Sequence, residues 1–184
     1  MTQAFNLSQL ANKVNTSGQV DITTGLSASV AALATANTFT ATQTFNGSTS
    51  TLASVLINGA EIVTVSATAA TGTINYDVTT QSVLYYTTNA SGNFTMNFRA
   101  SSGTSLNTAM STGQSLTVVF LCTNGTTAYY NNALTIDGSS VTPKYQGGTA
   151  WSSGNASSVD VYAYNIVKTG SATYTVFASQ TKFA

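Results

Sequence analysis

Histidine is absent from this chain of 184 residues, cysteine and proline occur once each, and charged side chains are scarce. Five basic and five acidic residues make up 5% of the chain, where ordinary soluble domains have about 25%. The single Cys122 excludes an internal disulfide, and without histidine or further cysteines a zinc site lacks its usual ligands. The acidic residues are scattered singly along the sequence. We therefore expect a protein that is not an enzyme, with no catalytic residue, no metal site and no cofactor.

Other absences limit the kinds of partner that we expect this protein to bind. No run of residues approaches the ~20 apolar positions that span a bilayer, so membrane insertion is not expected. The five cations form no cluster that could neutralise phosphates, which argues against nucleic-acid binding. The first residues lack the basic region and apolar core of a signal peptide. Disorder is disfavoured too, because 42% of the residues are hydrophobic and the chain has nine tyrosines and eight phenylalanines.

The polarity of the chain comes from hydroxyl and amide groups, and serine and threonine together account for 57 of the 184 residues. Threonine suits the half-buried surface of a β-sheet. A neutral hydroxyl-rich face can be buried against another protein at a far lower desolvation cost than a charged one. With a net charge of zero, little electrostatic repulsion keeps free subunits apart. These features predict a protein whose surface is largely used in assembly.

The N-terminal residues 1–36 show helical spacing of apolar residues in two short stretches. Helices this short are marginal in isolation, so their apolar stripes need a partner surface. We expect residues 1–36 to form a docking segment, with residues 1–20 as the docking element and four side chains as its contacts: Phe5, Leu7, Leu10 and Val14. The second stretch and the segment after it are expected to hold a trimer together through Leu26, Val30, Leu33, Phe39 and Phe45.

Residues 37–69 look like an extended, fibre-like β segment. Threonine and phenylalanine alternate in residues 37–45, and the turn signals Asn46-Gly47 and Asn58-Gly59 follow. The segment has too few large apolar groups to close a core within one chain. Three chains could bury one another's stripes around a common axis, so we expect a homotrimer held largely through residues 20–66.

Residues 70–184 have the pattern of a compact β domain. Phe94, Met96 and Phe98 alternate with polar residues, as in a strand with one buried face. The apolar run 116–122, which ends at Cys122, indicates a central strand with a buried thiol, and Asp137-Gly138 indicates a hairpin turn. Seven or eight short strands in this length suggest an antiparallel β-sandwich or jelly roll.

One segment of this domain is a candidate binding site. The only tryptophan, Trp151, lies in the Gly/Ser-rich stretch 147–154, close to Tyr145 and Gln146. An exposed tryptophan there could stack on a sugar, with the other two residues as further glycan contacts. The alternative is a loop held in place by one buried aromatic side chain, and tryptophan is usually mostly buried. The many tyrosines are explained by core packing and subunit contacts together.

Three stretches resemble known proteins. Residues 5–19, from Phe5-Asn6-Leu7-Ser8 to Gly18-Gln19, resemble the start of virion structural proteins of marine tailed phages that infect cyanobacteria. Residues 37–45 look like a segment common in phage tail-fibre proteins, and residues 85–184 are similar to a domain of structural proteins from the same phages. The resemblance implies a location on the virion and a homotrimeric, fibre-like organisation.

Two hypotheses from different classes follow. The first is a structural virion component, either a short fibre or tail-fibre subunit or a decoration protein of the capsid head, whose partners are further copies of itself and other virion proteins. The second is an adhesin tip that takes part in host attachment by binding a glycan on the host surface. Loss of glycan binding on Trp151→Ala would favour the second hypothesis.

Overall fold

The computed structural model describes residues 62–184, which belong to the unit Ile57–Ala184. The predicted N-terminal helices and most of the predicted fibre-like segment lie outside these residues. The prediction of a mainly β protein is confirmed. Within 62–184 the strands are β1 (Val63–Ala69), β2 (Gly72–Asp77), β3 (Val83–Thr88), β4 (Phe94–Arg99), β5 (Ser115–Thr123), β6 (Asn131–Ile136), β7 (Ser139–Ser140), β8 (Lys144–Tyr145), β9 (Val159–Gly170) and β10 (Thr173–Phe183), with one helix, α1 (Leu106–Ala109). No helix in this range is long and apolar enough to cross a membrane.

The strands form a six-stranded sheet in the order β1-β3-β5-β9-β10-β8 and a four-stranded sheet in the order β2-β4-β6-β7. The chain passes from one sheet to the other at each step from β1 to β6, so that β1, β3 and β5 pair in parallel in the larger sheet. Strands β2, β4 and β6 pair in parallel in the smaller one. The first six strands are therefore three turns of a two-sheet coil.

The purely antiparallel pairing predicted from sequence is wrong. Antiparallel pairs occur between β5 and β9, between β9 and β10, and between β6 and β7, while β8 pairs in parallel with β10. The reason lies in the connections. Only Ala70 and Thr71 separate β1 from β2, a length typical of a hairpin, yet Ala70 is fully buried and the chain turns into the other sheet at Gly72, whose φ is +56°. Alternation of side chains fixes the faces of a strand but not its neighbours.

The corners of the coil stack on one another as the strands do. The Ser91 amide donates to the Ala70 carbonyl over 3.0 Å, and the Ala90 amide donates to the Thr123 carbonyl over 2.8 Å. The corner leaves little room at Gly92, because a Cβ there would lie 2.9 Å from the Thr71 hydroxyl, which would have to move. The short sequences Ala70-Thr71-Gly72 and Ala90-Ser91-Gly92 thus mark the same corner in successive turns.

Aromatic rings fill the space between the two sheets. Phe98 of β4 meets Tyr164 of β9 with ring centroids 5.0 Å apart, and Phe94 of β4 contacts Phe120 of β5 and Tyr162 of β9 at 5.4 and 5.8 Å. All five rings are at most 1% exposed. The predicted alternation of Phe94, Met96 and Phe98 is confirmed, with all three side chains in this core. Burial of several large rings is the main stabilising term of the domain.

Two predicted local features are confirmed. The run 116–122 lies in β5, the third strand of the six-stranded sheet. Asp137 and Gly138 join β6 to β7 with φ values of 51° and 80°, which is the left-handed pair that a two-residue hairpin requires. The larger sheet begins earlier than the predicted domain start at residue 70, because β1 pairs with β3 from Val63 onward.

Candidate functional site

A shallow groove of about 580 Å³ lies on the outward side of the six-stranded sheet, beside its edge strand β8. Its lining combines aromatic rings, amides, a hydroxyl and one cation and includes Lys144, Tyr145, Gln146, Asn165, Phe177 and Ser179. The structure therefore brings together two of the three residues predicted to contact a glycan, Tyr145 and Gln146. Phe177, which is 48% exposed, supplies the ring on its outward side.

Trp151 is not among the residues that line this groove. Its ring packs edge-on against Tyr145 and Tyr162, with centroids 4.8 and 5.4 Å apart, and its indole N–H donates to the Asn131 carbonyl. The tryptophan thus ties the 147–154 stretch to the core. This packing favours the alternative of a loop held by one aromatic side chain over an exposed sugar-stacking platform.

A buried carboxylate organises the same loop. Asp160 is fully buried, and its Oδ2 accepts hydrogen bonds from the Asn124 side chain, the Asn155 amide and the Gln180 side chain. Burial raises the pKa of this carboxyl above its ordinary value, against the opposing effect of these hydrogen bonds. Gly154 is required beside it, because a Cβ there would lie 2.2 Å from a backbone carbonyl oxygen. The carboxylate acts as a structural anchor for residues 151–158.

Two further charges are used in the same way. Lys168 is 6% exposed, and its ammonium group donates to the carbonyls of Asn107 and Met110 at the end of α1, over 2.6 and 2.7 Å. The carboxylate of Asp137 accepts from the amides of Leu106 and Asn107 at the start of α1. One distant residue at each end thus satisfies backbone groups that so short a helix leaves unpaired.

Cys122 is a buried, free thiol, as predicted. Burial, assisted by the nearby Asp160, raises its pKa to about 12. At neutral pH the thiolate, which is the nucleophilic form, is therefore scarce. No cluster of three or more histidine, cysteine or acidic side chains that could hold a metal occurs in residues 62–184.

The outward side of the six-stranded sheet is apolar over most of its width. In the register across β1, β3, β5 and β9, one row of the sheet contains Val63, Val83, Val119 and Ala163, and a second row contains Val65, Tyr85, Leu121 and Val161. On β10 these two rows continue as Ser179 and Thr181, and the rows on either side of them carry Phe177 and Phe183. We call the ten apolar residues the outer apolar face. Its most exposed members are Val63, Val65, Phe177 and Phe183, which are 48–63% exposed.

Strand β9 places its charges and tyrosines inward and its valines outward. Asp160, Tyr162, Tyr164, Ile166 and Lys168 all point into the protein and are buried, while the residues between them are partly exposed: Val159, Val161, Ala163, Asn165 and Val167. The only other charged residue on the five strands of this face is Lys182, which lies on the same side of β10 as its partner in the register, Asp160. The outward side of β1, β3, β5, β9 and β10 therefore carries no charge.

The predicted docking and trimer residues lie outside the part of the chain that the structure describes: Phe5, Leu7, Leu10, Val14, Leu26, Val30, Leu33, Phe39 and Phe45. Among the comparisons with known proteins, no family model, no curated protein and no solved structure matches this chain.

Sequence reasoning missed the outer apolar face. The alternation in residues 159–168 shows two faces, one of valine and alanine and one of aspartate, tyrosine and lysine, and hydrophobicity alone would place the valines inside. The available signal was volume: only the rings of Tyr162 and Tyr164 are large enough to reach the opposite sheet. The two tyrosines and the two charged residues occupy alternate positions of β9, so all four lie on the same side of the sheet. The side taken by the tyrosines therefore fixes the side taken by the charges.

Proposed function

We propose that this chain is a non-enzymatic structural protein of a tailed-phage virion, a homotrimeric short fibre or tail-fibre subunit. Its residues 1–20 dock onto the particle, and its β domain projects outward. Two lines of support combine: the resemblance of residues 5–19, 37–45 and 85–184 to structural proteins of such phages, and the chemistry of the described domain. The mainly β fold is compatible with a short fibre and equally with other assembly modules.

The observation that carries the proposal is the use of charge in the domain. Residues 62–184 contain seven charged side chains, and six of them make hydrogen bonds within the chain: Asp77, Arg99, Asp137, Asp160, Lys168 and Lys182. Charges that other proteins use to stay soluble are here used to order turns and loops. A domain that leaves its broad sheet face neutral and apolar is suited to a place inside an assembly.

The chemistry of the described residues supports a non-catalytic role. The three acidic side chains have separate tasks: Asp77 pairs with Arg99 at 2.5 Å, Asp137 caps α1, and Asp160 anchors the loop 151–158. The thiol of Cys122 is buried and its pKa is raised to about 12, so it is a poor nucleophile. No two of these groups form a nucleophile–base pair.

The test is the incorporation of a truncated protein into particles. We expect a chain that lacks residues 1–20 to retain its β-domain fold and its trimeric state but to be absent from virions. A matched control carries Thr95→Glu, a polar outward substitution in the smaller sheet, and should incorporate normally. A truncated chain that is found on particles at normal occupancy would contradict the docking role.

An image of the virion with a labelled β domain decides between the two structural versions of the proposal. Label at the tail supports the fibre subunit, and label at many symmetric positions on the head supports a capsid decoration protein instead. Either result keeps the protein in the structural class. Label absent from the particle would overturn the proposal.

A glycan-binding adhesin tip is the second candidate function, and the groove beside β8 is the observation that favours it. Its ring, amide and hydroxyl groups are the types that bind neutral sugars. If it does so, Phe177→Ala should abolish binding on a glycan array, whereas Thr181→Ala, a change at an exposed position of β10 outside the groove lining, should not. An array on which the intact protein binds no glycan would remove this candidate.

A further inference from the structure

Exposure of the outer apolar face to water is energetically unfavourable. Single exposed apolar residues are common on proteins, but a contiguous apolar patch marks a contact surface. Here eight residues in two adjacent rows on four strands form one patch, with Phe177 and Phe183 beside it on β10, and all ten are partly or largely exposed. The four most exposed side chains are each about half or more accessible.

The inward placement of charge on β9 sharpens this point. An antiparallel strand at the surface of a soluble domain normally turns its charged residues to water and its aliphatic residues to the core. Strand β9 does the reverse with Asp160 and Lys168. Burying these groups has a desolvation cost, which their hydrogen bonds offset. A sequence that exposes valines and buries ions on the same strand fits an outward side that does not face water in the working assembly.

The size of the face suits a protein partner. Five strands spaced about 4.8 Å apart and four rows spaced about 6.7 Å apart give an outward side on the order of 650 Å², since neighbouring strands and alternate residues have these separations. The ten residues of the outer apolar face occupy about half of it, and uncharged polar residues such as Thr117, Asn165, Ser179 and Thr181 also lie there. Stable interfaces bury about 800 Å² on each partner. The uncharged outward side is thus nearly large enough to form such an interface, with the apolar face as its centre.

The neutrality of the face points to a second copy of this chain as the occupant. A charged partner would find no opposite charge on this surface to attract it. Two uncharged apolar faces can meet without desolvating any charged group. The face also begins at β1, whose residues 63–66 belong to the stretch 20–66 that the proposed function places at the trimer axis. Val63 and Val65 are thus common to that predicted contact stretch and to this face.

We propose that the outer apolar face is the surface through which the β domains of neighbouring copies contact each other. This inference rests on the homotrimer of the proposed function and names its contact in the folded domain. In a threefold ring each copy meets its two neighbours through different parts of its surface. The β1 side, with Val63 and Val65, meets the β10 side of the next copy, with Phe177. These exposed side chains lie at opposite ends of the face, as a head-to-tail contact requires.

The first test changes the centre of the face in the full-length chain. Leu121→Glu places a carboxylate on β5 between Tyr85 and Val161, and burying it against another copy would leave it unpaired. We expect sedimentation equilibrium at micromolar concentration to show at least tenfold weaker association. The matched control is Thr95→Glu, which introduces the same group at a partly exposed outward position of β4, a central strand of the smaller sheet. It should leave association unchanged.

The second test does not depend on the folding of a charged variant. Val65→Cys and Phe177→Cys are combined in a Cys122→Ala chain and oxidised. Within one chain β1 and β10 are separated by three strands, or about 19 Å, far beyond the ~7 Å that a disulfide allows between Cα atoms. Any disulfide must therefore join two copies. We expect the double-cysteine chain to give linked species of two and three chains and none larger. Either single-cysteine chain can give dimers at most.

The outcomes separate this inference from the proposed function. A trimeric wild-type protein that weakens with Leu121→Glu and forms the cross-links supports the inference. A trimer that is unaffected by Leu121→Glu and forms no cross-links overturns it, while the proposed homotrimer stands. A wild-type chain that is monomeric at micromolar concentration overturns both.

Discussion

The two sheets of the domain are built by the same coil, yet their outward sides differ. The smaller sheet carries a polar ladder: the Asn97 amide donates to Asn75 over 2.7 Å, and the Thr135 hydroxyl donates to Asn97 over 2.8 Å. Beside it, Asp77 pairs with Arg99 in the register of β2 and β4. On strands β1, β3, β5, β9 and β10, the larger sheet carries aliphatic and aromatic residues and no charge on its outward side. The outward side of the smaller sheet thus forms hydrogen bonds and an ion pair among its own side chains, and that of the larger sheet exposes apolar ones.

This difference shows how a stack of parallel strands can separate two tasks. Identical register positions in successive turns lie next to each other, so a polar group repeated along the sequence becomes a ladder and an apolar one becomes a stripe. The smaller sheet uses the ladder to specify its register. The larger sheet presents the stripe as the surface for which we propose association. Substitutions on the two outward sides should therefore have different consequences. A substitution in the core that both sheets share gives the reference for the loss of stability.

The largest effect is expected for a ring of the shared core. Phe98 packs against Tyr76 and Tyr164 and is fully buried, so Phe98→Ala should lower the free energy of unfolding by about 3–5 kcal/mol. The control is Phe177→Ala, the same change on the outer apolar face, which should cost less than about 1 kcal/mol in a Leu121→Glu background, where contact through this face is weakened. Urea unfolding followed by Trp151 fluorescence measures both. Equal costs would contradict the assignment of inner and outer faces.

A smaller effect is expected in the polar ladder. Asn97 is 8% exposed and bonds Asn75, Thr135 and the Gly138 amide, so Asn97→Ala leaves buried groups unpaired and should cost about 1–3 kcal/mol. Asn165→Ala on the larger sheet is the comparison. Its amide makes an exposed bond to Thr117, and its loss should cost less than about 0.5 kcal/mol in the same Leu121→Glu background. If Asn165 proved the costlier loss, the proposed division between the two faces would fail.

The sequence supported this comparison only in part. Period-two alternation located β4 and the run of β5, and Asp137-Gly138 located the hairpin, because these signals are local. The parallel pairing was not predictable, since it depends on which strands meet after the chain crosses between sheets at corners such as Ala70-Thr71-Gly72. The orientation of β9 was missed because its valines are more hydrophobic than its tyrosines but too small to reach the opposite sheet.

The candidate glycan residues illustrate the same limit. Their closeness in sequence predicted a common site for Tyr145, Gln146 and Trp151, and two of them do line one groove. The position of Trp151 depends on Asn131 and Tyr162, which are distant in sequence, so no local pattern could place it. Phe177 lines the groove because β10 pairs in parallel with β8, which is again a contact between residues distant in sequence.

Cys122→Ala, a change on the inward side of the larger sheet, is expected to cause a smaller loss of stability. The thiol is fully buried but small, so its removal should cost about 1 kcal/mol. In the native wild-type protein the thiol should react with a maleimide or disulfide reagent far more slowly than in urea, because it is buried and its pKa is raised to about 12. Rapid labelling of the native protein would show that this strand is accessible.

The smallest expected effect is a pH dependence contributed by Asp160. Burial raises the pKa of its carboxyl in the folded state, so the folded protein binds this proton more tightly than the unfolded chain does. The resulting stability is fully present below the ordinary aspartate pKa of about 3.9 and is lost as pH rises through the higher pKa of the folded state. Asp160→Asn removes this titration. The difference in stability between wild type and Asp160→Asn should therefore shift against the wild type as pH rises from about 3 to 7. A difference that is constant, or that shifts toward the wild type, would contradict the effect of burial.

The central claim is that the apolar side of the larger sheet belongs to an assembly of identical chains. Multi-angle light scattering of the full-length wild-type and Leu121→Glu proteins, compared over the same dilution series at micromolar concentration, tests it most directly. The account predicts a wild-type species of three chains, each of 18.9 kDa, that Leu121→Glu shifts toward smaller masses. A wild-type monomer, or a trimer whose mass and dilution behaviour Leu121→Glu leaves unchanged, would contradict it.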